Sequence, residues 1–114
     1  MENFESPKTT MVTLEQIRAI ALALPAVTES LHFRLPTFKV GDKGFMTVQK
    51  DAAIMALPEP LADALSGNEP EKFELVRRNK KYFMGLKADL KTTGIADLKP
   101  LIQEAYNYRK AAKK

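Results

Sequence analysis

The stretch from His32 to Val48, HFRLPTFKVGDKGFMTV, constrains the fold more than any other part of this chain. Phe38 and Val40 alternate with Thr37 and Lys39, Gly41-Asp42-Lys43-Gly44 supplies turn chemistry, and Phe45-Met46-Thr47-Val48 follows, an order that predicts a β-hairpin. If the loop is Asp42-Lys43-Gly44, with Gly44 in the left-handed position, Val40 lies opposite Met46 and Phe38 opposite Val48. Phe38, Val40, Met46 and Val48 then share one face, and Lys39, Phe45 and Thr47 take the other. A two- or four-residue loop would swap Phe45 and Thr47 with Met46 and Val48, because side chains alternate residue by residue along a strand. The three-residue loop is preferred because it gathers the apolar side chains.

The elements around the hairpin supply its cover. Thr13 and Gln16 form a capping box before an apolar stripe of Leu14, Ile17, Ile20, Ala21 and Leu24, which predicts a first helix from Leu14 to about Leu24, closed by Pro25. Val27 to Arg34 alternates weakly and predicts a strand leading into a bend at Pro36. The run Ala52 to Leu57 reads as a central strand covered on at least part of both faces. Leu61, Ala64 and Leu65 mark a short helix that stops at Ser66-Gly67-Asn68, with Gly67 offering a left-handed cap. Pro70 to Lys81 fits either a strand or an irregular connector, and Tyr82 to Lys87 alternates as a strand with Tyr82, Met84 and Leu86 on one face. A last helix begins at Ile95 or Leu98 and runs to Arg109, with Leu98, Leu101, Ile102 and Ala105 buried and Pro100 tolerated in its first turn.

This order predicts an α+β fold: a two-layer sandwich in which an antiparallel sheet of four to five strands carries N- and C-terminal helices and a short middle helix on one face. The other face is left partly bare, as antiparallel sheets permit. Residues 1–11 read as a flexible tail and 12–114 as a single domain. No apolar run reaches the ~18 residues of a membrane helix and no signal peptide is evident, so a cytoplasmic protein without membrane contact is expected. With no cysteine and one histidine among 114 residues, thiol catalysis, disulfides and cysteine or histidine metal clusters are excluded or nearly so. His32 beside Arg34 lacks a motif that would supply a nucleophile or a second carboxylate, and the Gly41 to Gly44 loop lacks a phosphate-cradle signature. The expectation is a non-enzymatic protein with no cofactor and no metal.

Charge is uneven along the chain. Residues 1–60 hold six Lys or Arg against seven Asp or Glu, whereas residues 61–114 hold twelve against seven. Four of those cations, Arg77, Arg78, Lys80 and Lys81, crowd into five residues before the Tyr82 strand and read as a basic loop at a strand entrance. Arg34, Lys39 and Lys87, with Phe45 and Phe83, would set cations among rings on the bare face, the mixture used by sheets that bind single-stranded nucleic acid. Arg34, Lys39, Arg77, Arg78, Lys80, Lys81 and Lys87 are therefore the candidate nucleic-acid contacts, with DNA or RNA as partner. The same face could instead hold a protein partner or form a homodimer.

The run from Val12 through LEQIRAIALALP, then VTES, HF, LPTFKV and GDKGFMTV, followed by an apolar strand and Leu57-Pro58, resembles the MmcQ/YjbR family of small bacterial proteins. Tyr82-Phe83 stands where that family often carries Gly-Trp. The resemblance implies a fold similar to secretion chaperones and frataxin-like proteins, and the family carries a DNA-binding label that rests on a predicted double-wing motif. Frataxin-like iron binding would need an acidic ridge on the first helix, and Glu15 with its apolar neighbours does not supply one.

Overall fold

The computed structural model describes residues 12–32, 34–78 and 82–111, so the expected tail, 1–11, lies outside the described residues. Its elements are α1 (Leu14–Leu22), β1 (Val27–His32), β2 (Leu35–Val40), β3 (Lys43–Gln49), β4 (Ala52–Met55), α2 (Glu59–Asn68), β5 (Phe73–Arg78), β6 (Tyr82–Asp89) and α3 (Ile95–Ala111). The six strands form one antiparallel sheet in the order β1-β2-β3-β4-β6-β5, which makes β1 and β5 the edges. The α+β expectation holds, with six strands instead of four to five because Phe73 to Arg78 pairs along β6 as a full strand. No helix among the described residues is long and apolar enough to cross a membrane.

One row of side chains explains why the helices cover a single face. Reading the registers across the sheet, Glu29, Phe38, Met46, Met55, Leu86 and Leu75 face one another from edge to edge. Phe38, Met46, Met55 and Leu86 join Ile17 and Ala21 of α1, Ala62 of α2 and Leu98, Ile102 and Ala105 of α3 in one core. The polar end of the row is tied down by α1, where Arg18 donates to both carboxylate oxygens of Glu29 at 2.7 and 2.9 Å. Those hydrogen bonds hold the Glu29 carboxyl below the usual carboxylate range.

The helix ends depart from the sequence reading in small ways. The capping box of Thr13 and Gln16 is present, with Gln16 N–H donating to Thr13 Oγ1 at 3.2 Å and Thr13 N–H to Gln16 Oε1 at 2.9 Å. Helix α1 stops at Leu22, and Pro25 presents its carbonyl to the Tyr106 hydroxyl of α3 at 2.7 Å. Gly67 lies inside α2 without the left-handed conformation expected of it. Pro100 sits beyond the first turn of α3, where the Ala96 carbonyl loses its intrahelical donor; both residues are at the exposed surface, where water can replace that bond.

The central hairpin reaches the expected face by a different turn. Val40 pairs with Lys43, leaving Gly41-Asp42 as a two-residue loop, and Gly41 takes φ +64° at its first position, where a type II′ turn needs glycine. A two-residue loop alone would have turned Phe38 and Met46 to opposite faces. Between Phe38 and Lys39 the register shifts, so that Phe45 is an extra residue on β3 and Phe38 comes opposite Met46. Phe38, Val40, Met46 and Val48 are all buried, as expected, but the bulge brings Phe45 to that face with them. Gly44, expected to be left-handed, is not, and a Cβ there would meet Thr37 Cγ2 at an ordinary 3.5 Å. Gly41→Val should therefore cost about 2 kcal/mol. Gly44→Val should be close to neutral, and denaturant midpoints of the two variants check this order.

Candidate nucleic-acid interface

The face turned away from the helices carries its own continuous row. Ser30, Thr37, Thr47, Ile54, Lys87 and Glu74 face one another across all six strands, and Lys39 lies on the same side opposite Thr28. The hydroxyls of Thr37 and Thr47 are 3.2 Å apart and bond to each other. Over this floor lies an open groove of about 580 Å³ whose lining includes Ser30, Lys39, Thr47, Ile54, Val76 and Met84. On the half of the face formed by β1 to β3 the charged residue is a cation, Lys39; the carboxylates, Glu74 and Asp89, belong to β5 and β6.

The rings expected on this face are on the other one. Phe45 is 1% exposed and meets Tyr106 of α3 edge to face, with ring centroids 5.8 Å apart. A second register shift, between Val76 and Arg77, pairs Arg77 with Phe83 and makes Met84 the extra residue. Phe83 is thereby turned to the core side, while Met84, expected to share a face with Leu86, stands 52% exposed in the groove on the other side. Two bulges thus remove both stacking platforms, since each flips the strand's alternation at that point.

The candidate cations divide into groups. Lys39 and Lys87 lie on the open face, and exposed Arg34 sits in the β1–β2 turn at its corner; none of the three makes an ion pair among the described residues. Arg34 holds φ +68°, a left-handed conformation that costs a side-chain-bearing residue roughly 1 kcal/mol. Arg77 and Arg78 end strand β5 and do not belong to a loop, because their backbones pair with Phe83 and Tyr82. Arg77 is turned to the helices, with Nη2 donating to Glu59 of α2 at 3.2 Å and the guanidinium over the Phe83 ring at 6.0 Å. Lys80, Lys81 and the side chain of Arg78 lie outside the described residues. Arg77, near the end of edge strand β5, and Arg34, in the β1–β2 turn, occupy opposite ends and opposite sides of the sheet, roughly 20 Å apart by strand spacing alone, so these candidates do not converge on one patch.

The hydroxyl row and exposed Met84 escaped the sequence reading. Gly85, a glycine inside a strand, was the available signal for the second bulge.

The family model named YjbR matches residues 22–108. The chain belongs to the YjbR family. No curated protein and no solved structure matches it. The matched span begins at the end of α1 and runs to near the end of α3, so the YjbR match takes in the whole sheet and both of its faces.

Proposed function

We propose that this YjbR protein is a non-enzymatic nucleic-acid-binding module that holds backbone phosphates on its open sheet face. The observation that carries this reading is the placement of Lys39 and Lys87 on the bare side, with Arg34 in the turn at its corner, none of them in an ion pair among the described residues. Arg18, Lys72, Arg77 and Lys91, by contrast, are each paired with a carboxylate. Lysine and arginine contacts to phosphate position a protein without reading bases. With both rings on the core side, the face offers neither as a platform for bases, so binding should be insensitive to sequence. Arg78, Lys80 and Lys81 remain candidate phosphate contacts by their charge alone; Arg77 is excluded by its pairing with Glu59.

The test is a fluorescence titration of duplex and single-stranded DNA at two salt concentrations. Wild type should bind at low salt, and the combined Arg34→Ala, Lys39→Ala, Lys87→Ala variant should weaken binding to all sequences alike. It should also flatten the slope of log affinity against log salt by up to ~0.9 for each duplex phosphate that is no longer neutralised. Absence of association at low salt would sink this reading. A second reading, docking of a protein segment, is favoured by Met84 beside Ile54 and Val76 in the groove; such docking would persist at high salt.

A further inference from the structure

The two edges of the sheet are defended unequally. Native edge strands avoid pairing with other chains through bulges, lysines, prolines or free charges. Strand β5 lies against a bulge in β6, where Met84 is the extra residue, and ends in two arginines. Strand β1, VTESLH, pairs with β2 through six residues without a register shift and contains neither proline nor lysine. Its one acidic residue, Glu29, is held by Arg18 of α1, and Leu31 stands 71% exposed on it. An uninterrupted edge of this kind is a template for another strand.

We propose that β1 pairs antiparallel with β1 of a second copy of this chain about a two-fold axis at Ser30, and that this pairing assembles the phosphate-binding patch. Only its ligand rests on the function proposed above; the pairing stands on the edge itself. Residues directly opposite each other share a sheet face, so the axis must fall on a residue facing its own copy. On Glu29 it would set two carboxylates opposite each other, which is unfavourable. On Leu31 it would leave little more than Ser30 to His32 paired. On Ser30 it pairs Thr28 with His32 and Glu29 with Leu31, and covers the exposed leucine on both sides.

The consequence for the open face follows from the rows. Within one copy, Lys39 and Arg34 lie at opposite ends of β2, five residues or roughly 17 Å apart. In the pair, the row of Lys39 and Thr28 continues into His32 and Leu35 of the second copy. Lys39 of each copy then approaches Arg34 of the other, about two strand spacings, or roughly 10 Å, across the seam. Both open faces lie on the same side, and the acid-free halves adjoin. The patch is incomplete without the second copy.

Sedimentation equilibrium of the full chain tests the pairing. Wild type should show a monomer–dimer equilibrium. Ser30→Lys alone and Ser30→Asp alone should be monomeric with unchanged circular dichroism, since each places like charges opposite each other, and an equimolar mixture of the two should restore the dimer. Titration with duplex DNA tests the patch: Ser30→Lys should bind about tenfold or more weakly than wild type despite its added cation, because two linked patches become one. A wild type that stays monomeric at its highest soluble concentration, or a dimer that survives Ser30→Lys alone, overturns the proposal. A dimer that ignores DNA overturns the phosphate reading and upholds the β1 pairing.

Discussion

Gly85→Ala should destabilise the protein by about 3 kcal/mol, lowering the thermal midpoint by roughly 10 °C or more. A Cβ built on Gly85 falls 2.5 Å from the Met55 carbonyl oxygen and 3.3 Å from its carbon, and both are backbone atoms of the neighbouring strand. A flexible side chain could swing aside; a paired strand cannot. Met55 is paired with Leu86 and buried, so relief would require β4 and β6 to separate at the centre of the sheet. Gly85 also follows Met84, the extra residue of the β5–β6 bulge, and the close approach of strands there is the reason for a glycine. Guanidinium unfolding of the variant measures the loss, and a midpoint within error of wild type would contradict the bulge geometry.

Phe45→Ala should cost more, about 3–5 kcal/mol, the range for emptying a buried phenylalanine site. The ring is enclosed by the core and meets Tyr106 at an interplanar angle of 82°, an edge-to-face arrangement worth roughly 0.5–1.5 kcal/mol beyond burial. Tyr106 is itself fixed by its hydrogen bond to Pro25, so the hole left behind cannot easily collapse. The measurement also decides between registers. On the open face, as a strictly alternating hairpin with a three-residue loop would have it, Phe45 would be half in water and its loss would cost little; a value under about 1 kcal/mol would return it there.

Much of the architecture is legible without coordinates because it depends on local chemistry. The cap on Thr13, the stripe of Ile17 and Ala21, the buried Leu98, Ile102 and Ala105 of α3 and the apolar run of β4 all follow from spacing along a few residues. The core face of the hairpin was legible too, though for an incomplete reason. The expected three-residue loop, with Phe38 opposite Val48, and the observed two-residue loop with an extra Phe45, with Phe38 opposite Met46, place Phe38, Val40, Met46 and Val48 on the same side, because the two registers differ by two residues and an even shift keeps each side chain on its face.

What neighbouring residues could not determine are the features settled between strands. A bulge arises where two partners negotiate register, so alternation within β3 or β6 alone does not show that Phe45 turns inward or that Phe83 and Met84 exchange faces; Gly85 hints at a bulge in β6 without fixing which residue is extra. The fate of each cation depends likewise on elements far along the chain: Arg77 meets Glu59 across eighteen positions, whereas Lys39 and Lys87 pair with no carboxylate among the described residues. Charge and apolar periodicity by themselves determined that this chain makes an α+β sheet with one covered and one open face. Only the tertiary structure decided which side chains the open face presents, since one inserted residue reverses every side chain beyond it.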